Sequence, residues 1–123
     1  MATQQEAINY IKSNYRHDVL DSGILKLIFN LDGGRSQLVY AEVTDVNIQY
    51  LSPFGSVDDL TAKQALEANS KYSIGMQLVG TQYMIKHVAF LADLDASEIK
   101  EGFELVALIA DELESELVGG DKL

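Results

Sequence analysis

The sequence has no cysteine and no tryptophan, a single proline at Pro53, and two histidines, His17 and His87, among 123 residues. Without cysteine there are no disulfides, no thiolate zinc sites and no thiol nucleophile. No apolar run approaches the roughly 18 residues of a membrane-spanning helix. The start, Met-Ala-Thr-Gln-Gln-Glu, lacks the basic-then-apolar order of a secretory signal. The expectation is a soluble, cytoplasmic protein with no membrane partner. Basic residues are also scarce, nine Lys and Arg against nineteen Asp and Glu, for a net charge of −10. The imbalance is concentrated at one end. Residues 93–123 hold ten acidic and two basic residues, a net of −8, whereas residues 1–92 carry only −2. Such a surface repels phosphate backbones and argues against nucleic-acid binding. It reads as a solvated helix face, or as a field that steers a basic partner.

The chemistry-bearing motifs are missing as well. His17 sits beside Asp18 and Asp21 in a polar stretch with no third metal ligand nearby. His87 lies between Lys86 and Val88 and reads as a hydrogen-bonded sheet histidine. There is no G-x-S-x-G elbow. Gly33-Gly34 is not followed by the helix of a dinucleotide fingerprint, and Gly75 and Gly80 have P-loop spacing but are followed by Thr81-Gln82. No catalytic, cofactor-binding or metal-binding residues are therefore assigned, and the expectation is a protein that is not an enzyme.

What is present is regular patterning over one domain, residues 1–123. Thr3 and Glu6 form a capping box ahead of a helix to about Asn14, with Ala7, Ile8, Ile11 and Tyr15 on one face. Arg16 to Gly23 is polar and turn-like. In Ile24–Leu31, residues Leu25, Leu27, Phe29 and Leu31 alternate with Ile24, Lys26, Ile28 and Asn30, as in a half-buried strand. Asp32-Gly33-Gly34-Arg35 is a hairpin turn. Ser36–Val43 and Val46–Leu51 complete a three-stranded meander. Ser52-Pro53-Phe54-Gly55 then breaks the sheet, and a short helix with Ser56 as N-cap spans about Val57–Asn69. Lys71–Val79 and Gln82–Leu91 form a second hairpin around Gly80-Thr81. The last helix, about Asp95–Val118, carries Ile99, Phe103, Val106, Ala110, Leu113 and Leu117 on one stripe, with Asp95 as its N-cap and Gly119-Gly120 as its stop.

The order α-β-β-β-α-β-β-α predicts an α+β fold of two layers, a five-stranded, mainly antiparallel sheet with the first and long last helices on one face. The other face is expected to be less polar than a solvated sheet face, since Ile24, Ile28, Met84, Val88 and Phe90 fall on it. The second helix, another subunit or a ligand would have to cover part of it.

Three stretches then carry a family resemblance. Leu66-Glu67-Ala68-Asn69 closes the middle helix, a hairpin containing Ser73-Ile74-Gly75 and Tyr83-Met84 follows, and Leu91-Ala92-Asp93-Leu94 leads into the long acidic helix. With the order of elements, this resembles the type III secretion chaperone-like fold, which includes class I secretion chaperones and YbjN-like proteins. The resemblance implies a small, acidic, cytoplasmic homodimer without enzymatic activity or cofactor, which binds a protein or peptide partner as an adaptor or chaperone-like module. It implies Leu60, Leu66 and Asn69 as dimer-interface residues and Ile24, Ile28 and Tyr50 as contacts to a partner peptide. Core packing is the competing reading for all six. The alternative function is a small-molecule-binding or enzymatic α+β domain, with a pocket on the second sheet face near His87, Tyr83 or Tyr72.

Overall fold

Side chains alternate between two faces along each strand, and the hairpin turns between the strands set their register. The structure, a computed structural model, describes residues 2–72 and 74–118, with Asp32 described by its backbone alone. The expected helix stop at Gly119-Gly120 and the Ser73 of the second hairpin lie outside the described residues. Helix α1 is Gln4–Asn14, followed by strands β1 (His17–Val19), β2 (Leu25–Asn30), β3 (Ser36–Val43) and β4 (Asn47–Ser56). Helix α2 (Ala62–Asn69), strands β5 (Gly75–Val79) and β6 (Gln82–Phe90), and helix α3 (Ala96–Leu117) complete the chain. The sheet is antiparallel throughout, in the order β1-β2-β3-β4-β6-β5.

This is the expected α+β arrangement with one strand more. Three residues of the stretch read as a turn, His17–Val19, pair with Leu25–Leu27 and add an edge strand. A strand this short is invisible to periodicity, because it offers only one and a half repeats. A second difference lies at Pro53. The expected break at Ser52–Gly55 does not occur, and β4 runs through it to Ser56. A bulge between Pro53 and Gly55 places Phe54 as an extra residue opposite β6. Such an irregularity accommodates a residue that has no N–H to give to the ladder. Consequently α2 begins later than expected, with Thr61 rather than Ser56 as its N-cap and Gln64 closing a capping box.

The buried hydrophobic residues other than Met84 form one cluster, made by one face of the sheet and the apolar stripes of the helices, while Met84, 7% exposed, alternates onto the other face of β6. Leu25 and Leu27 of β2, Val39 and Ala41 of β3, Ile48 and Tyr50 of β4 and Ile85 of β6 meet Ala7 and Ile11 of α1 and Ile99, Phe103, Val106, Ala110 and Leu113 of α3. The Asp95 carboxylate caps α3, accepting hydrogen bonds from the Glu98 N–H at 3.0 Å and the Ser97 hydroxyl at 2.8 Å, and these bonds hold its pKa below the usual carboxylate value. Phe103 sits at the centre of an aromatic cluster, with ring centroids 4.9 Å from Tyr50, 5.1 Å from Tyr15 and 5.3 Å from Phe29. Tyr50 donates its hydroxyl hydrogen to the Ile99 carbonyl at 3.1 Å, tying the central strand to α3.

Two polar devices brace the fold, one within the sheet and one between the layers. Gln37 is fully buried and donates to the Pro53 carbonyl at 2.6 Å and to Ser52 Oγ at 3.1 Å. Those bonds support the bulge from the neighbouring strand. Arg35, just after the β2–β3 turn, reaches Asp111 at 2.8 Å and the fully buried Glu114 at 3.5 Å, both on α3.

Gly102 is the residue that lets α3 approach the sheet. A Cβ built there would collide with the Tyr50 ring, 2.6 Å from Cε2 and 2.8 Å from the hydroxyl oxygen. Tyr50 cannot easily yield, since it is fully buried between Phe103 and His87. Gly102→Ala gains about 1 kcal/mol of helix propensity but overpacks this contact, a class of change that costs about 1–3 kcal/mol. The expected net result is a destabilised protein in urea unfolding. A variant more stable than the parent would show that the helix is not held this close to Tyr50.

Candidate protein-binding surface

Because the helical core clusters on one face, the register assigns the alternate residues to the other. One cross-strand row on that face crosses all six strands: Asp18, Lys26, Tyr40, Leu51, Lys86 and Gly75. Beside it lie Ile28 opposite Leu38, and the row Glu42, Gln49 and Val88. Ile28 is 64% exposed and Phe90 60%, and Val88 is exposed as well. Leu38, Tyr40 and Leu51 are half-buried. None of these residues belongs to the core or to the side chains packed against it. The face is therefore an apolar band, with Lys26 and Lys86 balancing Asp18 and Glu42.

Helix α2 does not supply the expected cover. Its anchor residues Leu60 and Ala65 pack into the core, and the Tyr83 hydroxyl donates to the Leu60 carbonyl at 3.3 Å from the helical side of the sheet. The turn after α2 is tied to α3 by Lys71–Glu116 at 2.7 Å and by the Tyr72 hydroxyl donating to Glu112 at 2.6 Å. The hydrogen bond to Glu112 raises the Tyr72 pKa, and the one to Glu116 raises that of Lys71. All three helices thus share one layer.

The proposed site residues are divided by this geometry. Ile28 stands on the open face. Ile24, half-buried, continues the same alternation just before β2, and its carbonyl accepts a hydrogen bond from the Leu20 N–H at 2.9 Å. Tyr50 points the other way into the core, and burial raises its pKa. Of the three residues assigned to a dimer interface, Leu60 is buried in the core, and Asn69 is buried and donates to the Ile74 carbonyl at 2.8 Å. Leu66 alone is presented to solvent, at 59% exposure. The residues the sequence did not single out are Leu38, Tyr40 and Leu51. Their alternation was legible, but that no element among the described residues covers them was not.

The residues named for a pocket do not converge. His87 stacks on Tyr50 at 5.7 Å, a ring contact where a hydrogen bond was expected, and burial lowers its pKa. It lines a depression of about 270 Å³ with Ala89, Leu94, Glu98, Glu101 and Leu105, on the helical side. Tyr83 instead stacks on Phe54 in the core. An apolar groove of about 410 Å³ runs between Tyr15, Phe29 and Leu31 and the Lys100–Leu108 segment of α3. Burial pushes the Tyr15 pKa up to about 12, with the neighbouring Tyr10 adding to the effect.

Among the described residues, no group of three or more His, Asp or Glu is placed to hold a metal ion, and no helix is long and apolar enough to cross a membrane. No protein-family model matches the sequence, and no curated protein matches it.

Proposed function

We propose that this protein is a non-catalytic, homodimeric protein-binding adaptor or chaperone-like module that receives an extended segment of a partner on the open face of its sheet. The observation that carries the reading is the band of Ile28, Leu38, Tyr40, Leu51, Val88 and Phe90, which no helix among the described residues covers, since α1, α2 and α3 pack on the opposite side. Side chains on a strand-like partner alternate as they do on the sheet, so an extended segment offers apolar groups at the matching spacing. The mixed charges bordering the band suit such a segment. The net charge of −10 favours one flanked by basic residues. The sequence resemblance to type III secretion chaperone-like proteins supports the same reading, in the looser, YbjN-like sense of a regulator or adaptor with no tie to secretion.

The reading is tested by asking whether the protein keeps an unfolded chain in solution. Insulin reduced with dithiothreitol releases an aggregating B chain, and the reductant leaves a cysteine-free protein untouched. Light scattering is expected to fall when the protein is added in equimolar amount, and to return when Ile28→Asp and Val88→Asp are combined. Both positions are exposed, so the double variant should fold. Aggregation that proceeds equally fast with and without the protein would end the proposal.

A further inference from the structure

The two edges of the sheet are guarded very differently. β1 is three residues long and sits among Arg16, Asp18 and Asp21. Short length and flanking charge are the usual means of keeping an edge from pairing. β5 is longer, at five residues, and the charge that reaches it is the Lys86 ammonium of β6, which donates to Gln77 Oε1 at 2.9 Å. Its sequence is Gly-Met-Gln-Leu-Val, and it lies within fourteen consecutive uncharged residues, 72–85, the longest such run in the chain. The next longest, residues 46–57, is mostly in the internal strand β4, where missing charge is what burial requires. At an edge it is an anomaly. Leu78 is 54% exposed, and Val79 is exposed beside it.

We infer that β5 is the surface on which two copies of this chain meet, β5 against β5 in antiparallel register about a two-fold axis through Gln77. The inference rests on the homodimer of the functional reading and gives it a location. Three observations favour a second copy as the occupant. First, two chains of charge −10 repel one another, and the contact of least repulsion is one free of carboxylates, as on β5, where the charge in contact is the Lys86 ammonium bonded to Gln77 Oε1 at 2.9 Å. Second, the strand is complementary to itself. An antiparallel pairing centred on Gln77 sets Met76 against Leu78 of the other copy, twice over, on the helical side, and Gln77 against Gln77 on the open side. That is the isologous contact a two-fold dimer needs. Third, the backbone is available in the right phase. Val79 and Gln82 flank the two-residue turn at Gly80-Thr81 and form the hydrogen-bonded pair next to it. Alternation along the ladder then turns Gln77 inward to Met84 and leaves the N–H and C=O groups of Met76 and Leu78 facing outward. Pairing makes one twelve-stranded sheet whose two open faces are continuous across the axis. A partner segment could then run over both copies.

The chain's lack of cysteine allows a clean test. In this register Gln77 faces its own symmetry mate in a pair that does not exchange hydrogen bonds, where Cα atoms approach to about 4.5 Å, within disulfide range. Gln77→Cys should give a disulfide-linked dimer under mild oxidation, while Leu66→Cys, on exposed α2, should link much more slowly. Light scattering of the unmodified protein should give twice the 13.5 kDa chain mass. Leu78→Lys should weaken the dimer at least about tenfold, the equivalent of 1.4 kcal/mol, with unchanged circular dichroism. A dimer that survives Leu78→Lys, with no cross-link through Gln77→Cys, would overturn the β5 interface while leaving a homodimer elsewhere. A parent protein that is monomeric at every concentration would overturn both.

Discussion

Phe103→Ala is expected to lower the unfolding free energy by about 4 kcal/mol, within the 3–5 kcal/mol seen when a large aromatic side chain is removed from a core. The size follows from position. Phe103 is fully buried on α3 and is the ring on which Tyr15, Phe29 and Tyr50 converge, so its loss opens a cavity bounded by the end of α1, by β2 and by β4. Three elements cannot all relax into that space together, because Tyr50 is also bonded to the Ile99 carbonyl. Small domains have only about 5–15 kcal/mol of stability in all, so the variant should unfold at a much lower urea concentration. Its slope should be unchanged, since the surface exposed on unfolding is nearly the same. A loss below about 1 kcal/mol would mean that α3 is not docked on the sheet through this residue.

The second large effect is expected at Arg35. Arg35→Met keeps much of the side chain's apolar stem but removes the guanidinium from Asp111 and from the fully buried Glu114. Removing one partner of a buried ion pair costs about 3–5 kcal/mol, mainly because the remaining charge stays in a poorly solvated place. Arg35 is itself one-quarter exposed, so the lower part of that range is expected. The companion variant, Arg35→Met with Glu114→Gln, separates the cause. If buried charge is the problem, neutralising Glu114 should recover part of the loss in urea unfolding. A double variant less stable than Arg35→Met by the full cost of Glu114→Gln alone would show the two side chains to be energetically independent.

These effects bear on function through the sheet's geometry. Phe103 and Arg35 hold α3 to the closed face, and nothing in either contact reaches the open one. Variants that retain their fold should therefore retain the proposed binding at Ile28 and Val88, and the stability and binding experiments report on opposite faces of one sheet.

The faces themselves were legible residue by residue. Leu25, Leu27 and Phe29 could be separated from Lys26 and Ile28, and Tyr83 and Ile85 from Met84 and Val88, because a strand alternates with a period of two wherever one side is buried. The stripe on α3 was equally plain, since six apolar residues at helical spacing have no other reason to recur. Less was visible where local pattern and global need diverge. Pro53 reads as a strand breaker, yet the sheet carries it at a bulge supported by Gln37 from the next strand, a partner sixteen residues away. Ser56 reads as an N-cap because Asp58 and Asp59 follow it, and its hydroxyl does accept from the Asp58 N–H at 3.2 Å, but Thr61 is the N-cap of α2.

The sequence by itself determined the order of most elements, their apolar faces and the acidic character of α3, because each is a local pattern with a short period or a simple count. Only the tertiary structure decided which candidates are available to a partner. Tyr50 and Ile28 both lie in strands and look alike in sequence. One is sealed under α3 beside Gly102, and the other stands on a face that no helix among the described residues covers. Burial depends on what a distant segment places above a residue. That information is held in pairings across the whole chain and in no window of it.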